Sequence, residues 1–192
     1  MKGTILILGL YLSASLAYAG DCPHRVRIDT VFYEVPSWWC DRAIDTALIP
    51  RSGDFMRLPA DLCFNGFSIY VKKEAGQAFV KMARKAAVDS IFFKVKSGYR
   101  SLAYQTGLYK KYMADGTAFE RVARKIAPPG FSEHHTGRAF DLVGDKGQFG
   151  KSKAYGWLKA NAAQFGFIES FPNDSAGQIR WEPWHWYYKG IE

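Results

Sequence analysis

The chain has 192 residues, of which 48% are hydrophobic and 23% charged, and a formal net charge of +8. The length favours one domain, and the composition is that of a globular protein able to build a core. The positive balance suits an anionic surface, polymer or membrane. Nucleic acid is not expected as a partner, because no basic-aromatic recognition motif stands out.

Residues 1–19, "MKGTILILGLYLSASLAYA", carry one Lys, an apolar run and then Ala17-Tyr18-Ala19. Small residues at the first and third positions before a cut mark a secretory cleavage site. The run is short of the ~20 residues a membrane span needs, so no stable span is expected after cleavage. Cys22 follows closely, but Asp21 stands before it where a lipoprotein signal would place a small residue. The protein is therefore expected to be exported, periplasmic or secreted, with its mature chain starting near Gly20. Export puts Cys22, Cys40 and Cys63 in an oxidising compartment. One disulfide and one leftover thiol follow, with three pairings open. A cysteine zinc site is not expected, since no Cys-x-x-Cys spacing occurs.

Residues 20–66 hold all three cysteines and several Pro and Gly, and they read as loops and short strands. We treat them as an N-terminal lobe stapled to a core that occupies 67–192. Residues 68–88 predict an amphipathic helix, with Ala75, Phe79, Met82 and Ala86 on its apolar face. "IFFKVKS" at 91–97 predicts a strand. A second helix follows "GYRS", capped by Ser101 and ending at Gly116. A short helix is predicted within 117–126, broken by "APPG". "RAFDLVG" reads as a strand and "KAYGWLKANAAQFG" as a helix, and "FIESF" and "WHWYYKG" read as further strands. Helices and strands without strict alternation predict an α+β fold, a small antiparallel sheet flanked by helices.

Three segments carry polar groups among apolar neighbours: Arg100 in "SGYRS", the Ser132–Asp141 stretch, and "EPWHWYY" at 182–188. Pro183, between Glu182 and His185, argues against a helical zinc motif. Extended backbone around His185 would turn Trp184 and Trp186 to the opposite face. Two imidazoles and one carboxylate form a common catalytic zinc set. His185, Asp141 and either His134 or His135 supply one, and spacing alone does not choose between the adjacent histidines. Glu182 is placed to act as general base and acid, and Arg100 to stabilise an oxyanion.

In these residues the chain resembles the VanY-like D-alanyl-D-alanine metallocarboxypeptidases, a family that includes vancomycin-resistance dipeptidases, LD-carboxypeptidases and phage endolysins. The family pattern Ser-x-His-x-x-Gly-x-Ala-x-Asp reads here as Ser132, His134, Gly137, Ala139 and Asp141, and Glu-x-x-His as Glu182 and His185. The "GYRS" segment and the Gln five residues after its Arg read as Arg100 and Gln105. The resemblance covers residues 68–188 and leaves the N-terminal lobe uncovered. It implies zinc at the sheet cleft, held by His134, Asp141 and His185. It implies Glu182 as base and then acid, Arg100 on the scissile carbonyl, and Ser132 and Gln105 lining the substrate pocket. His135 stands where the family often has Gln, and Arg138 where an apolar residue is frequent. His135 is then a neighbour of the ligand set, pointing away or forming the pocket rim.

The function this implies is a zinc-dependent D-alanyl-D-alanine carboxypeptidase hydrolysing peptidoglycan stem peptides. The alternatives are an L,D-carboxypeptidase or endopeptidase with the same metal site, and a non-catalytic wall-binding module, against which the intact Glu182 argues.

Overall fold

The computed structural model describes residues 24–144, 148–173 and 179–191. The leader expected over 1–19, and Cys22, lie outside the described residues. No helix among the described residues is long and apolar enough to cross a membrane.

The chain begins with an antiparallel hairpin of β1 (Arg25–Ile28) and β2 (Val31–Glu34), turned by Asp29 at φ 56°. Alternation along β1 buries Val26 and Ile28, as expected of a half-buried strand. A 3-10 turn over Ser37–Arg42 buries Trp39. β3 (Phe55–Arg57) then pairs antiparallel with β4 (Tyr70–Lys72). Helix α1 (Lys73–Val88) buries Ala75, Phe79, Met82 and Ala86, the predicted stripe. It starts five residues later than the periodicity suggested. Residues 70–72 alternate exposed, buried and intermediate, and their backbone is claimed by β3. Tertiary pairing has overridden local helical preference.

β5 (Lys94–Ser97) precedes α2 (Leu102–Met113), whose Ser101 side chain accepts from the Tyr104 amide. The cap is as predicted, although the helix stops at Met113 rather than Gly116. α3 (Phe119–Ala123) is one short turn. β6 (Ala139–Val143), α4 (Lys153–Asn161), β7 (Phe167–Glu169) and β8 (His185–Tyr188) complete the order. The main sheet runs β5-β6-β8-β7, antiparallel throughout, so the fold is α+β with small antiparallel sheets.

One core lies between this sheet, α1 and α4, and centres on Phe79, stacked on Phe140 at 4.9 Å. It also takes Leu58, Leu62 and Cys63 from before the helix. A second core joins the N-terminal hairpin and Trp39 to Tyr109 of α2 and to Phe119 and Val122 of α3. The N-terminal segment therefore contributes side chains to both cores. Cys63 is a buried free thiol, which removes two of the three pairings left open by the sequence.

Candidate metal centre

Strand register brings the site together. In the β6–β8 pair Asp141 lies opposite His185, and in the β5–β6 pair it lies opposite Ser97. His134 comes from a 3-10 turn, Glu133–Thr136, that leads into β6. Gly137 ends that turn at φ 66°, and a Cβ there would stand 2.9 Å from the Lys72 amide nitrogen. Only glycine fits both the left-handed backbone and the close approach of β4.

The two adjacent histidines separate cleanly. His134 Nδ1 lies 2.6 Å from the Gly98 carbonyl. A carbonyl only accepts, so Nδ1 carries the proton and Nε2 holds a bare lone pair. That Nε2 is buried without a hydrogen bond, 3.2 Å from Asp141 Oδ2. His135 instead accepts from the Gly130 amide through Nε2 (3.1 Å) and donates from Nδ1 to the Arg100 carbonyl (2.8 Å). It is buried, so it is a brace between two loops rather than part of a pocket rim. Arg138, the other departure from the family pattern, pairs with Glu74 on α1.

His185 is held from both sides. Its Nδ1 is 3.1 Å from Asp141 Oδ1 and its Nε2 is 2.8 Å from Glu133 Oε2. One ligand atom from each of His134, Asp141 and His185 lies within 4.8 Å of the other two. Two imidazole nitrogens and one carboxylate are the donor set of a catalytic zinc site. The orphaned Nε2 of His134 is the kind of buried acceptor that a cation satisfies. The residues present thus fit a divalent metal.

Electrostatics agree with this concentration of charge. Burial of His134, reinforced by the Arg100 charge, brings its imidazole down to about 4. Burial also opposes charge on His185, yet its bonds to Asp141 and Glu133 hold it up at about 10. Burial pushes against ionised Asp141, but His134, His185 and Arg100 keep its carboxyl well below the usual range. Arg100 donates from Nε to Ser97 Oγ at 2.8 Å, and its Nη2 pairs with Asp141 Oδ2. Glu182 sits in the turn before β8, where the His185 amide bonds to its carbonyl. Its carboxylate is 4.0 Å from His185 Nδ1, and burial pushes it up to about 7.

All seven residues singled out in the sequence, Arg100, Gln105, Ser132, His134, Asp141, Glu182 and His185, line one cavity of about 200 Å³. Gln105 donates from Nε2 to the Ala127 carbonyl at 2.8 Å and leaves its buried Oε1 without a partner. Trp184 does not turn away from His185 as strict alternation predicts. It precedes the first residue of β8, lies within 5.4 Å of the Arg180 guanidinium and lines the cavity, whereas Trp186 enters the core. Among the lining residues that escaped the sequence reading are Glu133, Phe171 and Trp39. Glu133 occupies the unassigned position between Ser132 and His134 in the family pattern, but its partner is 52 positions away and no local pattern announces it.

Comparison with known proteins places this geometry. The family model VanY, D-alanyl-D-alanine carboxypeptidase, matches residues 68–191. A D-alanyl-D-alanine carboxypeptidase of Enterococcus faecium is 31% identical over 139 residues, or 68% of this chain. The chain spans 43% of that relative's length, and less than half of two further curated relatives. The solved LdcB LD-carboxypeptidase superposes with a TM-score of 0.66 at 27% identity, covering 74% of this chain and 71% of its own. A mutant of the vancomycin resistance D,D-pentapeptidase VanY, in complex with Zn(II), superposes with a TM-score of 0.55 at 27% identity, covering 70% of this chain and 84% of its own. The chain belongs to the VanY family of D-alanyl-D-alanine carboxypeptidases.

Proposed function

We propose that this chain is a zinc-dependent D-alanyl-D-alanine carboxypeptidase that hydrolyses peptidoglycan stem peptides. The observation that carries the reading is the buried, unpartnered Nε2 of His134, facing Asp141 and His185 in a cavity that also holds Glu182. The Zn(II) bound by a family relative supports the choice of metal.

His134 Nε2, His185 Nδ1 and an oxygen of Asp141 would hold the zinc at the sheet cleft. The metal supplies Lewis acidity toward water and toward a carbonyl oxygen. Glu133 receives the Nε2 proton of His185 and so keeps Nδ1 directed at the site. Glu182 takes a proton from the attacking water and gives it to the amine nitrogen as the C–N bond breaks. Its raised proton affinity suits both halves of that exchange. Arg100 faces the developing oxyanion with a charge that persists at any working pH. Ser132 and Gln105 orient the peptide, the latter through its free Oε1.

Residues 1–19 are a leader, 20–66 an N-terminal lobe and 67–192 the peptidase core. The protein acts outside the cytoplasm, periplasmic or secreted, where its basic charge meets an anionic wall. An L,D-carboxypeptidase with the same machinery is the second reading, favoured by the 0.66 TM-score to LdcB. Digesting synthetic tetrapeptide and pentapeptide stems tests the choice. Release of D-Ala from the pentapeptide is expected, and release from the tetrapeptide alone would overturn the D,D assignment.

A further inference from the structure

Two unequal spaces adjoin the site. The smaller is a cavity of about 200 Å³ lined by Glu182, His134 and His185. The larger is a groove of about 1160 Å³ lined in part by Tyr104, Tyr112 and Trp181. The two share Arg100, Ile126, Asp141 and Trp184, so they meet at the site itself. Glu182 lines the small cavity and not the groove. A proton handed to the leaving amine must therefore be delivered in the small cavity. On the proposed function, the released residue sits in the small cavity and the rest of the peptide lies along the groove.

One wall of that small cavity comes from outside the family core. Trp39 precedes the matched region, which starts at residue 68. It is 2% exposed, and its Nε1 donates to the Ala123 carbonyl at 2.9 Å. Its ring meets Phe171 edge-on at 6.0 Å, and Phe171 in turn lies 5.1 Å from the His185 ring. Arg42, three residues on, stands over the same Phe171 ring at 5.1 Å. The Ile44 amide bonds to the Gly130 carbonyl at 2.9 Å, beside the His135 brace. The indole is thus fixed at both its polar and its apolar edges. A protein cavity of about 150 Å³ accommodates benzene, with about six heavy atoms, as many as alanine has. A cavity of about 200 Å³ is thus nearer the size of one amino acid than of a continuing peptide.

We propose that Trp39 is a specificity-determining residue that walls the leaving-residue subsite and restricts release to a single small C-terminal amino acid. The inference rests on the carboxypeptidase reading above and deepens it, because it names a residue that limits the size of the released amino acid. Phe171 of the family core lines the same cavity, and Trp39 stands against it, so the segment before residue 68 contributes to a property of the site.

The test is a panel of stem peptides ending in D-Ala, D-Leu or D-Phe, or in D-Ala extended by one residue, given to the zinc-loaded full chain. The wild type is expected to favour D-Ala over D-Leu by about 10- to 100-fold in kcat/KM, as an overfilled apolar pocket rejects bulk. Trp39→Ala should narrow that ratio about tenfold, and Trp39→Phe, which keeps an aromatic wall, should narrow it less. The ratio separates selectivity from a general loss of folded enzyme. Equal wild-type turnover of D-Ala and D-Leu termini would overturn the inference even if Trp39→Ala does not fold. An unchanged ratio in a folded Trp39→Ala would do the same. Hydrolysis without size discrimination contradicts the wall and leaves the function standing, whereas no release from any peptide contradicts both.

Discussion

Replacing Glu133 by alanine removes the carboxylate that receives the Nε2 proton of His185. That contact is 2.8 Å long, and the imidazole side chain is only 4% exposed, so water does not readily take its place. In the metal-bound state the loss acts twice. The ring is no longer pinned with Nδ1 beside Asp141, and a buried N–H is left unpaired. Loss of such an outer partner costs about 10- to 100-fold in metal affinity, or about 1.4–2.8 kcal/mol. Glu133→Gln keeps an acceptor of the same shape without the charge and should fall near the lower end, with Glu133→Ala near the upper. Competition for zinc against a chromophoric chelator reads both. Wild-type zinc affinity in Glu133→Ala would refute the view that this residue orients His185.

Further expectations follow from the same structure. His134→Ala should abolish tight zinc binding. His135→Ala should keep zinc affinity within a few-fold but lower unfolding stability by about 1–3 kcal/mol, because the Gly130 amide and Arg100 carbonyl lose their shared partner. Metal titration and denaturant melts of the two variants separate these roles, and the reverse result would shift the ligand register by one residue. Phe79→Ala, which empties a fully buried site stacked on Phe140, should cost about 3–5 kcal/mol in a urea melt. With Cys63 a free buried thiol, peptide mapping without reductant should find Cys22 linked to Cys40. A bridge to Cys63 would contradict the core packing around it.

The gathering of His134, Asp141 and His185 was legible because the family pattern picked the register that spacing alone left open between His134 and His135. The main helices and strands were legible from periodicity. What escaped has physical causes. The start of α1 moved because β3, a strand with no strong signal of its own, pairs with residues 70–72. Trp184 faces the cavity because strict strand alternation begins only at His185. His135 became a brace through two backbone partners on other loops. Trp39 is anchored by a hydrogen bond spanning 84 positions, and Glu133 reaches His185 across 52, and no local pattern encodes such distances.

The central claim is zinc-dependent hydrolysis with Glu182 carrying the proton. The most direct measurement is D-alanine released from a pentapeptide stem by chelator-treated protein before and after zinc is restored, with Glu182→Ala alongside. The predicted result is release only after zinc is restored to the wild type. Glu182→Ala should take up zinc but lose at least about 10²-fold in rate. Release that persists without metal, or wild-type turnover in Glu182→Ala, would contradict the mechanism.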